Sequence, residues 1–169
     1  SQQVRIRAMT RLPERVKLAL PGQGSLREAY MALAAQLGVE ERVLFPGQVQ
    51  MAPWYGAADL AVSASRSEGL PFNIMEAMYC GLPVVASRVK GHTDLLEESG
   101  AGLLYPYGDW VACAECIQEL LQDPELADRM GERGRQAVEA YTLDRVQPMV
   151  MAQYGTLAPL GQPASAGSV

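Results

Sequence analysis

Short apolar runs alternate with stretches of helical spacing along most of this chain, and many of the changes of period fall at a glycine or a proline. Val4 to Leu12 carries a helical pattern. Arg15 to Leu20 reads as a strand that stops at Pro21-Gly22-Gln23-Gly24. Ser25 can then cap a helix whose Leu26, Tyr30, Leu33 and Leu37 fall on one face, closed by Gly38. Arg42–Phe45 is strand-like, Pro53–Ala58 a short helix, and Asp59–Ser63 another strand. A polar loop leads to a helix over Pro71–Cys80. The apolar run Pro83-Val84-Val85-Ala86-Ser87 suits a strand buried on both faces. Thr93–Glu98 predicts a short helix and Gly102–Tyr105 the last strand. Helices are predicted over Trp110–Leu121, Pro124–Tyr141 and Leu143–Tyr154. This order predicts an α/β fold with a doubly wound parallel sheet, whose ligands bind at the carboxyl ends of the strands.

Composition narrows the class. The chain has 169 residues, 49% apolar and 20% charged, with a formal charge of −5. That suits one domain with a full core, expected over residues 1–155, followed by a disordered tail over 156–169. Net acidity argues against a broad nucleic-acid surface. No apolar run is long enough to span a bilayer, so the expected location is cytoplasmic. The basic residues Arg5, Arg7 and Arg11 read as a solvated helix face rather than an anion site. Cys113 and Cys116 form a lone C-x-x-C on a predicted helix. With one His in the chain they read as inert core thiols, and no metal site is expected.

Chemistry concentrates in Ser65-Arg66-Ser67-Glu68-Gly69-Leu70-Pro71-Phe72-Asn73-Ile74-Met75-Glu76. A loop leaves a strand, presents Glu68 and Gly69, and enters a helix at Pro71. The helix N-terminus turns free N–H groups and positive dipole toward the ligand edge, which suits a diphosphate. Glu76, among Ile74, Ala77 and Met78, is expected to be partly buried. From position alone it is either a salt-bridged core carboxylate or an acceptor for a sugar diol. His92, after a strand end, is either a pocket-facing group or an exposed helix-capping histidine.

Glu68 and Glu76 are separated by seven residues and followed by Ala77-Met78-Tyr79-Cys80-Gly81-Leu82-Pro83-Val84-Val85-Ala86-Ser87. This block resembles the E-x7-E signature of retaining glycosyltransferases of the two-domain GT-B fold, in particular glycosyltransferase family 4. Leu18–Arg27, Arg42–Gly47, Tyr55–Asp59 and Gly102–Asp109 resemble further blocks of that family, so the likeness covers roughly residues 4 to 155.

The resemblance implies the Rossmann-like, carboxyl-terminal half of a GT-B enzyme, which binds a nucleoside diphosphate sugar, UDP-sugar first among the choices. Glu76 would hold the ribose hydroxyls, and Glu68 would act at the reacting face of the transferred hexose. Gly69, Leu70, Pro71, Phe72 and Asn73 would meet sugar and diphosphate. Gly22 and Gly24 would line the phosphate side, Gln48 and Val49 the base, and His92 would join the donor site. The resemblance implies no cofactor and no metal, an acceptor that is a carbohydrate or lipid-linked saccharide, and a role in bacterial surface polysaccharide synthesis. It also implies a first strand and an amino-terminal acceptor domain upstream of Ser1, with peripheral membrane association open to the whole enzyme. The isolated chain is then expected to turn over little or not at all. The alternative is a non-catalytic nucleotide-sugar-binding module that works with a separate acceptor-domain chain. Epimerases of similar architecture fit the glutamate block less well.

Overall fold

The computed structural model describes residues 2–139. Helix α1 (Gln2–Ala8) continues into a 3-10 turn, Met9–Arg11. There follow β1 (Leu18–Ala19), α2 (Arg27–Gln36), β2 (Val43–Leu44), α3 (Ala52–Ala57), β3 (Ala61–Ser63) and α4 (Phe72–Tyr79). Then come β4 (Val84–Ser87), α5 (Lys90–Ser99), β5 (Gly102–Tyr105), α6 (Trp110–Gln122) and α7 (Pro124–Val138). The helix expected over Leu143–Tyr154 and the tail over 156–169 lie outside the described residues.

All pairings are parallel, as strands joined by helical crossovers must be. The strands form two groups, β1-β2 and β3-β4-β5, rather than one continuous sheet. Ala61 donates to Pro83 on the β4 side, so by alternation the Val62 carbonyl faces the other edge of β3. There the Arg5 guanidinium donates to it at 3.2 Å. Arg5 is therefore not part of a solvated face. Its Nε is buried without a hydrogen-bond partner among the described residues, and burial lowers its pKa.

The central strand β4 is buried at every residue and divides the core. Val85 packs with Val4, Ile6 and Ala8 of α1 and with Cys113, Ala114 and Ile117 of α6. Val84 and Ala86 face the opposite way, onto Ile74 and Met78 of α4 and Leu95 and Leu96 of α5. Helices thus cover both faces of the strand, and each enclosed Val or Leu contributes roughly 1.5–3 kcal/mol.

Local signals explain the helix ends. Asp109 accepts from Val111 and Ala112 at the start of α6, and Asp123 accepts from Leu126 at the start of α7. Gly38, at φ +67°, ends α2. Ser25 does not cap α2, which starts at Arg27 with no side-chain cap. Cys113 is buried and Cys116 half-buried, and burial raises both thiols, Cys113 to about 11. Both keep their protons and behave as core residues.

Candidate functional site

The loops after β1, β2 and β3 gather at one end of the strands, and the first two are tied together. The Gly22 N–H donates to the Gly47 carbonyl at 2.7 Å, and both glycines have positive φ, +120° and +79°. Among the described residues, no atom beyond the adjacent residues lies within 4 Å of a Cβ built on Gly22 or Gly24. The backbone there is open to a ligand, and a side chain at Gly22 would be strained. Gln48 is exposed and Val49 half-buried in the second loop. Arg27 donates to the Phe45 carbonyl at 3.0 Å and lies 5.9 Å from the centre of the Phe45 ring, which steadies the base of that loop.

The third loop, Ala64 to Pro71, carries Glu68, half-buried, with Gly69 and Leu70 exposed. Its support comes from beneath. Ser87, at the end of β4, donates through its hydroxyl to the Ser65 carbonyl at 2.7 Å. The carbonyls of Glu68 and Gly69 lie over Gly91, where an added Cβ would come within 2.6 and 2.5 Å of them. Glycine at 91 is what lets the loop seat on the start of α5.

His92 is wholly enclosed in this support. Its Nδ1 donates to the Ser87 carbonyl at 2.7 Å, leaving Nε2 to the Ser63 hydroxyl at 3.3 Å. His92 is buried, so it is not the exposed helix-capping histidine of one reading, and it joins the carboxyl ends of β3 and β4 below the Glu68 loop.

Helix α4 begins after a buried Pro71, whose missing N–H costs nothing at a helix start. The Phe72 N–H is engaged by the Leu70 carbonyl at 3.0 Å, so it is not a free donor here. The Asn73 N–H has no partner among the described residues and remains one. Glu76 is exposed, which corrects the expected burial. Ile74, Ala77 and Met78 are the buried face of α4, and Glu76 lies nearly opposite Ile74 with Phe72 and Tyr79.

Glu76 borders a groove of about 600 Å³ between α3 and α4. Tyr55 reaches across from α3, its hydroxyl 3.2 Å from Glu76 Oε2 and 3.1 Å from the Asn73 carbonyl. One hydrogen serves both acceptors. Burial, then the Glu76 charge, raises the Tyr55 pKa to about 12, so the phenol stays a donor at physiological pH. Phe72, at 68% exposure, and Tyr79, at 63%, edge the groove with Met51 and Met75. Volume and apolar lining suit a small organic ligand. Sequence reading did not single out Tyr55, although its place in a short helix before the β3 strand was visible.

Among the described residues no three His, Cys, Asp or Glu side chains converge as metal ligands, and no helix is long and apolar enough to cross a membrane.

Comparison with known proteins agrees with this architecture. N-acetyl-alpha-D-glucosaminyl L-malate synthase of Bacillus anthracis is 35% identical over 142 residues, which are 83% of this chain and 36% of that protein. Sucrose-phosphate synthase from Thermosynechococcus elongatus superposes with a TM-score of 0.84 and 31% identity over 92% of this chain and 41% of that one. Anabaena Alr3699/HepE, solved in complex with UDP, gives a TM-score of 0.86 and 25% identity over 92% of this chain and 45% of that one. The chain therefore spans about two fifths of the length of these relatives, with the fold of a GT-B domain. The model of the family described as glycosyl transferases group 1 matches residues 2–137, and the chain belongs to that family.

Proposed function

We propose that this chain is the donor-binding part of a retaining glycosyltransferase that moves a hexose from a nucleoside diphosphate sugar, UDP-sugar by preference, to a carbohydrate or lipid-linked acceptor. The observation that carries the reading is the exposed Glu76 carboxylate at the mouth of the α3–α4 groove, beside the α4 N-terminus. A carboxylate free of cations can accept both hydroxyls of a ribose diol, and charge-assisted bonds of this kind are strong. The Asn73 N–H and the helix dipole then take the diphosphate, with Gly22 and Gly24 leaving room on its far side. Glu68, on the supported loop, is the group assigned to the reacting face of the hexose. No metal enters this scheme. UDP in the HepE complex supports the choice of nucleotide, and relatives such as the lipopolysaccharide core glycosyltransferase LpsE of Rhizobium meliloti support a surface-polysaccharide role.

The break in the sheet supports an upstream strand. A Rossmann sheet in the order 3-2-1-4-5-6 that lacks its first strand falls into a pair and a triplet. β2-β1 and β3-β4-β5 are such a pair and triplet. In this reading the acceptor domain lies on the same longer polypeptide. The alternative of a separate partner chain calls for an apolar face left on the first helix and an exposed sheet edge. The break in the sheet fits either reading, whereas Val4, Ile6 and Ala8 of α1 are buried in the core, which favours the first.

Titration calorimetry with UDP tests the assignment. Glu76→Ala is expected to weaken binding roughly tenfold to a hundredfold, as for loss of a charge-assisted bond of about 1.5–3 kcal/mol. Glu68→Ala should weaken UDP much less, because UDP lacks the hexose. The reverse order would overturn the roles.

A further inference from the structure

We propose that Tyr55 is a positioning residue for the nucleotide, holding the Glu76 carboxylate in the orientation that receives the ribose hydroxyls. The proposal rests on the reading of Glu76 as the ribose ligand and adds a residue that this reading did not contain. Glu76 stands exposed on α4, and none of the ion pairs among the described residues includes it. An unpaired glutamate on a helix surface samples several rotamers, and ordering it on binding costs affinity.

The Tyr55 hydroxyl removes part of that freedom before the ligand arrives. It reaches Glu76 Oε2 at 3.2 Å from a different helix, across the groove that the ligand would enter. Its second acceptor, the Asn73 carbonyl at 3.1 Å, fixes the phenol against the first turn of α4, where the Asn73 N–H, without a partner among the described residues, also lies. The phenol uses one lone pair of Oε2. Oε1 and the rest of Oε2 stay open, enough for the two hydrogens of a cis-diol. Tyr55 therefore sets the diol-accepting face without occupying it.

The test uses the 169-residue chain, the Tyr55→Phe variant and two ligands, UDP and 2′,3′-dideoxy-UDP, titrated by calorimetry. The variant removes one oxygen and keeps the ring that packs between α3 and α4. Tyr55→Phe is expected to weaken UDP about fivefold and to leave the dideoxy nucleotide within about twofold. A role in packing alone would weaken both nucleotides equally. That result, or no change with either, overturns the proposal. Glu76→Ala in the same experiment separates the two levels of inference. If the wild-type chain binds both nucleotides alike, or neither, the ribose reading of Glu76 falls and takes this proposal with it. If wild type prefers UDP and Glu76→Ala removes the preference while Tyr55→Phe keeps it, the ribose reading stands and Tyr55 is excluded.

Discussion

The two glutamates that define the candidate site are held by different physics. Glu68 rides on a loop whose support is backbone and buried. The loop carbonyls rest on Gly91, the Ser87 hydroxyl takes the Ser65 carbonyl, and His92 joins Ser87 to Ser63 underneath. Glu76 stands on the solvent side of α4 and meets one phenol across an open groove. The first arrangement should respond to volume and to buried polar balance, and cost stability when disturbed. The second should respond to a single atom and cost almost no stability. A group at the reacting centre gains from the stiffer mounting, because small misplacements there are expensive.

The largest effect should come from the buried support. His92→Leu removes the donor to the Ser87 carbonyl and the partner of the Ser63 hydroxyl in a fully enclosed site. The Ser63 hydroxyl is left unpaired, at about 1–3 kcal/mol, and the Ser87 carbonyl keeps only the Val89 N–H at 2.9 Å, so a loss of about 2 kcal/mol is expected in urea unfolding. His92→Asn can keep the donor near the Nδ1 position and should recover roughly half of that loss. If His92→Leu is as stable as wild type, the support carries no weight and the contrast with Glu76 collapses.

Gly91→Ala comes next. The added methyl meets two backbone oxygens at 2.5 and 2.6 Å, and neither can swing aside as a flexible side chain would. Overpacking of this kind costs about 1–3 kcal/mol, and the strain should be relieved by lifting the loop that carries Glu68. Urea unfolding reads the cost. Limited proteolysis reads the lift, as faster cleavage after Arg66. A variant with unchanged stability and an unchanged cleavage rate would show that the loop does not depend on its seat at residue 91.

The same contrast explains what could be read from the sequence. Strands β4 and β5 and helix α6 fall within a residue of their expected bounds, because burial on both faces and a capping Asp109 are local signals. Gly38 and Gly47 were legible for the same reason. Glu76 departs from its expected burial because its angle on the helix, and not its sequence neighbours, decides its exposure. It is two residues from Ile74, about 200° around the helix, so the exposed side was already written in the helical period. Arg5 and His92 were not legible. Their partners, Val62 and Ser63, stand 57 and 29 residues away, and no periodicity encodes contacts at that range. Tyr55 falls between the two cases. Its short helix was expected, but the approach of α3 to α4 exists only in the fold.

The smallest effect separates the two mountings by pH. The Tyr55 phenol is raised from its ordinary value of about 10 to about 12, first by burial and then by the Glu76 charge. Below pH 10 the folded and unfolded chains both keep this proton, and Tyr55 adds no pH dependence. Between about 10 and 12 the unfolded chain loses the proton while the folded chain retains it. Unfolding is favoured there, and stability falls as pH rises. Tyr55→Phe lacks the group, so the stability of wild type relative to that variant should decline from pH 9.5 to 11.5. Gly91→Ala changes no ionisable group, and its difference from wild type should stay level over the same range. Parallel urea titrations at pH 9.5, 10.5 and 11.5 compare the two differences directly, since the other tyrosines and lysines cancel within each pair. A decline in the Gly91→Ala pair, or none in the Tyr55→Phe pair, would mean that the phenol shielded beside Glu76 does not carry the titration that distinguishes α4 from the loop beside it.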